Sequence, residues 1–297
     1  MPKNLFSRYI WILDTIKRYG RIKRDELNRL WMLSPHSNGE PMARRTFYNY
    51  RVAIEELFKI SIECDSTTFE YYLADSDEHS QSVTDWMVNS MTMSDMLNGA
   101  RDISNRIFID DIPSARTHLS TIIKSIKDSN PVMFSYQPYN RLNPVDGIIL
   151  EPYFLKLFRQ RWYVTGYVSA DDKIKTYALD RMLQVKVMRE QFEMPADFDP
   201  AEFISDAFGI VFTQGEVKQV AIKTDIRQAK YFRALPLHHS QREITNDTYS
   251  IFYFKLKLTP DFVQELLSYG PRVTVLSPPE LKAMMVDNLT QALDNYR

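Results

Sequence analysis

The stretch RWYVTGY, residues 161–167, decides the fold of the middle of this 297-residue chain. Its side chains alternate between two faces, as in a β-strand that is packed on one side. The alternation places Trp162 and Val164 on the packed face. It leaves Arg161 and Tyr163 on the outer face, where a ligand or solvent could reach them.

The same period of two extends outward from this stretch along the chain. It recurs in residues 132–136, 148–151, 173–179 and 185–190, and no helical pattern lies between these segments. Five short strands at close intervals are typical of a small closed sheet. The sequence therefore predicts a five-stranded barrel over residues 129–195.

Aromatic and cationic side chains alternate along these strands. In the fourth strand the period of two aligns Tyr177 and Leu179 with Lys175 and Arg181, and we interpret this face as part of the outer surface. Rings interleaved with cations suit stacked bases and bound phosphates, which predicts an anionic, nucleotide-like ligand. Such side chains also cover the outside of any small barrel, so a purely structural role is the alternative. The candidate ligand-binding residues are Ser135, Tyr136, Tyr153, Lys156, Arg159, Lys175 and Arg181.

The N-terminal quarter of the chain has a different pattern. Apolar residues recur with helical spacing in residues 6–16, 25–33 and 42–58, and two short alternating segments follow. Three helices and a hairpin predict a winged helix-turn-helix domain over residues 1–75.

The N-terminal quarter also differs from the remainder of the chain in its net charge. Residues 1–60 hold 12 Lys and Arg against 6 Asp and Glu, whereas the whole chain has a formal net charge of -1. The third helix is expected to turn Phe47, Ile54 and Leu57 inward and a basic face outward, where arginine can bind phosphate or guanine and asparagine can bind adenine. A solvated arginine-rich face is the alternative. The candidate DNA-binding residues are Arg24, Arg44, Arg45, Thr46, Tyr48, Asn49 and Arg51.

Two further segments complete the α+β fold class that the sequence predicts. Residues 75–82 are polar and have no apolar anchor, and helical patterns beyond them predict a helical linker over residues 76–128. After the barrel, residues 196–297 follow the order βαββαβ, which predicts a ferredoxin-like C-terminal extension.

Several classes of protein lack support in this sequence. No run approaches the ~20 apolar residues of a membrane span, and the N-terminus has no apolar signal core, so we expect a cytoplasmic protein. No Gly-rich phosphate loop or catalytic motif occurs, so we expect neither an enzyme nor a cofactor.

A metal site formed by His238, His239 and Asp247 is a weak alternative, because the side chains of adjacent histidines point apart. The acidic pairs Asp110–Asp111 and Asp171–Asp172 fit surface turns better than metal sites.

Three passages of this chain resemble the WYL domain, which is named for a Trp-Tyr-Leu sequence. They are residues 151–156 (EPYFLK), 161–164 (RWYV) and 177–182 (YALDRM). Val164 replaces the leucine of the name, which changes packing volume only slightly. Residues 233–241 resemble the extension that usually follows WYL domains.

The resemblance implies an Sm/SH3-like barrel that binds a nucleotide or nucleic acid and controls a DNA-binding domain. It places six of the seven candidate ligand residues, all except Arg159, on or beside the pocket, together with Trp162. Similar three-part proteins are mostly dimeric regulators, and several repress anti-phage defence operons. We therefore expect a homodimer that binds a double-stranded DNA operator and represses its own operon. A single-stranded nucleic-acid-binding accessory factor is the alternative.

Overall fold

The computed structural model describes residues 3–74, 86–94, 106, 116–213 and 215–297. The chain divides into two compact units, Met1–Asp110 and Asp111–Arg297. Both units combine helices with antiparallel sheets, which confirms the α+β class. The predicted boundary at residue 75 and the pair Asp110–Asp111 lie outside the described residues.

Over residues 3–74, the N-terminal unit forms three helices and a small sheet. Its strands are antiparallel and lie in the order β1-β3-β2. The elements are α1 (Lys3–Tyr19), β1 (Arg21–Lys23), α2 (Arg24–Leu33), α3 (Arg44–Phe58), β2 (Ile62–Cys64) and β3 (Glu70–Leu73).

Local sequence sets the ends of these helices. Gly20 follows α1 with a φ of +71°, a left-handed conformation that glycine adopts without steric cost. Asp25 and Glu26 occupy the first turn of α2, where negative charge is favourable because the helix dipole is positive there. Helix α3 ends before Lys59, which is also left-handed, with a φ of 54°.

The core of this unit takes side chains from all three helices and from the sheet. Leu13, Leu27 and Ile54 are almost fully buried in it. The prediction that Leu57 faces inward was wrong, because its side chain is 53% exposed and Phe58 is buried instead. At 100° per residue, Phe58 lies closer than Leu57 to the direction of Ile54.

A further helix, α4, spans residues 86–94 in the same unit. Val88 is fully buried in the N-terminal core, and Met91 packs against it. Part of the segment predicted as a linker, residues 76–128, therefore contributes to this core.

The second unit begins with a helix and a five-stranded antiparallel sheet. The strands lie in the order β7-β6-β5-β4-β8. The elements are α5 (Arg116–Asp128), β4 (Val132–Tyr136), β5 (Val145–Phe158), β6 (Arg161–Val168), β7 (Lys173–Ala178) and β8 (Met182–Val187).

This sheet is curled. The first half of β5 pairs with β4 and its second half with β6. In a flat sheet β4 and β7 would be about 14 Å apart, three strand spacings. The ring centroids of Phe134 on β4 and Tyr177 on β7 are only 5.1 Å apart, and the Ala178 N–H donates to the Tyr136 hydroxyl over 3.4 Å. The two ends of the sheet therefore approach each other around a shared core.

A close backbone approach fixes the bend in β5. Gly166 on β6 lies opposite Pro152, beside an irregularity in the β5 register. A Cβ at Gly166 would lie 2.0 Å from the carbonyl oxygen of Glu151, so only glycine fits at this crossing.

The outer-face prediction for three residues was wrong. Tyr163 and Tyr177 are each only 8% exposed, and Leu179 is fully buried. Tyr177 is the register partner of Val164, and both belong to the core of the curled sheet. Tyr163 precedes Val164 in the strand and so points to the opposite face, where it is also buried, and this burial raises its pKa.

In the described residues, the C-terminal part of this unit is a second antiparallel sheet with four helices. Its strands lie in the order β10-β11-β9-β12, and Phe232, Phe252 and Phe262 fill the core. The ferredoxin-like assignment stays a prediction that this strand order supports. The elements are α6 (Pro200–Ser205), β9 (Val217–Asp225), α7 (Ile226–Ala234), β10 (Arg242–Thr245), β11 (Tyr249–Lys257), α8 (Pro260–Ser268), β12 (Val273–Ser277) and α9 (Pro279–Asp294).

Candidate functional site

The start of α3 presents a basic polar face. Arg44, Arg45, Tyr48 and Asn49 are exposed, because Phe47 and Ile54 hold the opposite face in the core. Thr46 and Arg51, the other two candidates on this helix, are half-buried.

The start of α3 carries positive charge and has no acidic residue in its first turn. Ala43 precedes it and makes no side-chain cap hydrogen bond. Within the described residues, neither Arg44 nor Arg45 forms an ion pair or a side-chain hydrogen bond. Free N–H groups, a positive helix end and two arginines therefore coincide, an arrangement that favours a bound anion.

Arg51, Tyr48 and Arg24 have contacts within the protein. The guanidinium of Arg51 lies 5.5 Å from the ring centroid of Tyr48, and its Nε is 3.9 Å from a Glu55 carboxylate oxygen. Arg24 lies on α2, where it is 3.6 Å from a carboxylate oxygen of Asp25. Six of the seven candidates thus share one helix, and the seventh lies on its neighbour.

Three predicted ligand-binding cations have partners inside the second unit. Lys156 Nζ donates to the carbonyl oxygen of Gly209 over 2.6 Å, and burial lowers the pKa of this lysine. The guanidinium of Arg159 pairs with Glu265. Lys175 Nζ is 2.6 Å from a carboxylate oxygen of Asp171. Because these three cations already have partners within the protein, their presence on the sheet no longer indicates a bound anion.

Arg181 differs from those three. Its guanidinium stacks 3.6 Å from the ring centroid of Tyr139. Its Nε is buried without a hydrogen-bond partner among the described residues, and so is Oδ1 of Asp180. Arg161 adjoins the same group, since a hydrogen bond to Tyr139 and the charge of Asp180 raise its pKa, and its Nη1 is 3.8 Å from Asp180 Oδ2. Two guanidinium groups, a phenol and one carboxylate therefore meet at one place.

Ser135 and Tyr136 lie beside this group. Ser135 is paired with Leu183 and Tyr136 with Met182, immediately after Arg181 in the chain. The ring of Tyr136 packs 5.0 Å from that of Tyr177, so its main contact is with the core. The structure places the backbones of Ser135 and Tyr136 next to the segment that follows Arg181, whereas Lys156, Arg159 and Lys175 each belong to a separate contact.

Tyr153, the seventh candidate, lines a cleft of about 830 Å³ in the second unit. Phe198, Phe203 and Phe212 also line this cleft, and the sequence patterns did not predict them. Residues 198–212 contain four phenylalanines, each four or five residues after the one before. This density of aromatic residues could have indicated the cleft, but the stretch has no regular helical or strand periodicity.

The adjacent histidines hold a loop. His238 Nε2 and His239 Nε2 are each 2.8 Å from the carbonyl oxygen of Ser205, and burial, followed by the charge of His239, lowers the pKa of His238. Over the described ranges, no group of three His, Cys, Asp or Glu side chains could hold a metal ion. Asp171 pairs with Lys175, and Asp172 accepts a hydrogen bond from Tyr167.

Comparisons with known proteins identify two domains. A family model for the WYL domain matches residues 117–187, and one for the WCX domain matches residues 216–293. A search of the curated proteins found no significant match. No helix in the part of the chain that the structure describes is long and apolar enough to cross a membrane.

Two solved structures are similar. The first is the proteasome accessory factor B/C (PafBC) of Arthrobacter aurescens, with 18% identity and a TM-score of 0.37 over 97% of this chain and 47% of that one. This chain therefore spans about half the length of that protein. The second is a CRISPR Cas-related protein, with 11% identity and a TM-score of 0.41 over 100% of this chain and 87% of that one.

Proposed function

Because this chain belongs to the WYL-domain family, with a WYL domain followed by a WCX domain, we propose that it is a ligand-responsive, DNA-binding transcriptional regulator. Its N-terminal unit binds double-stranded operator DNA, and the chain represses its own operon, with phage defence as the candidate system. It acts by binding and carries out no catalysis.

The uncompensated arginines at the start of α3 carry this proposal. Three helices with a sheet in the order β1-β3-β2 support a winged helix-turn-helix, in which α3 is the recognition helix. Arg44 and Arg45 are exposed, adjacent and without an ion pair in the described part of the chain. Unpaired arginines beside an uncapped helix start suit phosphate and guanine contacts.

Footprinting on the DNA upstream of the gene tests the proposal against its alternative. A regulator protects an inverted repeat with half-sites about one helical turn apart, or a multiple of it. An accessory factor binds single strands without sequence preference and leaves no footprint on the duplex. Absence of any protected duplex site would reject the regulator.

The effector site is proposed at the group formed by Arg161, Arg181 and Tyr139. Arginine binds phosphate with a fixed fork of donors, and the exposed Tyr139 ring offers a surface on which a base can stack. Within the described residues the guanidinium of Arg181 forms no ion pair, so its charge is left for a phosphate. A nucleotide or short nucleic acid fits this chemistry.

The response of operator affinity to nucleotides and short oligonucleotides tests the effector site. Arg181→Ala is expected to keep DNA binding and to lose the response, whereas Lys175→Ala, whose ammonium is already paired with Asp171, keeps both. A tenfold response requires about 1.4 kcal/mol of differential binding. An Arg181→Ala variant that responds like the wild type would remove the effector from this place.

A homodimer is proposed through α9. Val286, Leu289 and Leu293 are 50–63% exposed and lie three and four residues apart, so they form an apolar stripe along one face. A second copy of the same helix would cover the stripe in a two-fold dimer, which matches a symmetric operator.

Light scattering is expected to give twice the 35.0 kDa chain mass. Leu289→Lys should yield monomers and Gln291→Lys, on the other face, should not; monomeric wild type would reject the dimer.

A further inference from the structure

The cleft in the second unit has the dimensions of a small-molecule site. It lies between the curled sheet, which contributes Tyr153 and Tyr167, and the segment that carries Phe198 and Phe203. Its volume of about 830 Å³ is within the range of pockets that bury a small ligand.

Aromatic rings form a continuous wall of the cleft. Tyr153 is buried, and its ring centroid is 5.0 Å from that of Phe198. Phe198 is 5.2 Å from Phe203, which is 5.1 Å from Phe212. Such a wall offers π-faces and ring edges to an apolar or flat ligand.

The charges that line the cleft are predominantly negative. Four carboxylates contribute to the lining and only two amines, those of Lys173 and Lys257. Glu151 is half-buried beside Tyr153, and within the described residues its carboxylate makes no hydrogen bond and no ion pair. Burial without a counter-ion raises its pKa. A phosphate would meet net repulsion here, whereas a cation would supply the missing partner.

The aromatic wall already accommodates an ammonium group. Lys156 Nζ lies 5.2 Å from the ring centroid of Phe212 while it donates to Gly209. Asp261 holds the same loop, because its Oδ2 accepts from the backbone N–H groups of Ile210 and Val211 at 2.7 and 3.0 Å. Contacts within the protein therefore anchor this wall.

We propose that this cleft binds a small organic cation, an amine or quaternary ammonium with an apolar or aromatic body. Its charged nitrogen pairs with Glu151, and its body packs against Tyr153, Phe198 and Phe203. This is a second ligand site, separate from the group around Arg181, and it does not depend on the proposed function. Aromatic side chains and a carboxylate are the usual chemistry for recognising such cations.

Calorimetry on the full chain with matched probes tests the proposal. The probes are phenethylamine and benzyltrimethylammonium as cations, benzyl alcohol as the neutral compound and phenylacetate as the anion. We expect saturable binding of at least one cation and at least tenfold weaker binding of the other two. Glu151→Gln should weaken the cation about tenfold, whereas Glu190→Gln, an exposed carboxylate outside the lining, should leave it unchanged.

A second readout uses pH. Because Glu151 must be ionised to hold the cation, affinity for benzyltrimethylammonium, which does not titrate, should fall as the pH drops through the raised pKa of this carboxyl. The fall should be absent in Glu151→Gln. The proposal is overturned if no cation binds at millimolar concentration, if phenylacetate binds as tightly as the cations, or if Glu151→Gln has wild-type affinity.

Discussion

Two basic regions of this chain, the start of α3 and the curled sheet, are alike in sequence and differ in structure. Arg44 and Arg45 are exposed and have no ion pair among the described residues. On the sheet, Arg159 pairs with Glu265, and Lys175 pairs with Asp171. An arginine or lysine next to an aromatic residue therefore indicates a binding surface only where acidic partners are missing.

The difference arises from what faces each region. Arg44 and Arg45 begin a helix whose first turn has no carboxylate, so nothing local neutralises the helix dipole. On the sheet, Lys175 pairs with the nearby Asp171, whereas Arg159 and Lys156 face later segments of the same unit, which supply Glu265 and the carbonyl oxygen of Gly209. Contacts between segments more than fifty residues apart cannot be read from strand alternation.

The largest effect is expected at α3. Arg44→Ala with Arg45→Ala should remove specific operator binding, since each lost bidentate contact costs ~1–3 kcal/mol of discrimination. The free energy of unfolding should change little, because both side chains are exposed and unpaired within the described residues. A gel shift and a urea titration measure the two quantities.

The matched control for this change is Arg29→Ala. Arg29 is also an exposed arginine of the N-terminal unit, but it lies on α2 and is bonded to Glu26. It should retain operator affinity to within a few fold. Equal losses in the two variants would show that general basic charge, and not α3, holds the DNA.

An intermediate effect is expected at Lys156. Lys156→Met keeps the length of the side chain and removes the ammonium group that satisfies Gly209, which should cost ~1–3 kcal/mol in the free energy of unfolding. Lys186→Met, an exposed residue on β8, is the control and should change it by less than about 0.5 kcal/mol. Unfolding in urea measures both. A stabilised Lys156→Met variant would mean that burying the charge costs more than the hydrogen bond contributes.

The smallest effects are expected at the paired surface cations. Arg159→Ala and Lys175→Ala should each change the free energy of unfolding by less than about 1 kcal/mol, because both cations remain in contact with solvent and ion pairs of this kind contribute little. Neither should alter nucleotide binding measured by calorimetry. If either variant lost affinity for nucleotides, the paired cations of the sheet would take part in ligand binding as the sequence predicted. The proposed difference between the sheet and the start of α3 would then be wrong.

Local patterns were sufficient for the elements and for the face of α3. Helical spacing located α1, α2 and α3, and the inward positions of Phe47 and Ile54 determined which arginines are exposed. The five strands of the curled sheet also followed from the period of two, apart from the second half of β5. That half begins at Pro152, which usually argues against a strand interior and is accommodated here by the bulge.

Burial on the sheet could not be predicted in the same way. Alternation assigns residues to two faces, but it does not say which face another segment will cover. Tyr163 and Tyr177 were both expected outside and are both buried, on opposite faces of the same sheet. The cleft was missed for the same reason, since Glu151 and Phe203 meet only after residues 193–213 have folded back.

The central claim, that α3 reads a duplex operator, is tested most directly by one specificity ratio. Affinities for the footprinted operator, an unrelated duplex and a single strand of equal length are measured at several salt concentrations. We predict that the operator binds at least ~10³-fold more tightly than the unrelated duplex at physiological salt, and that Arg44→Ala with Arg45→Ala abolishes this ratio. Equal affinity for the two duplexes, or tighter binding of the single strand, would contradict the account.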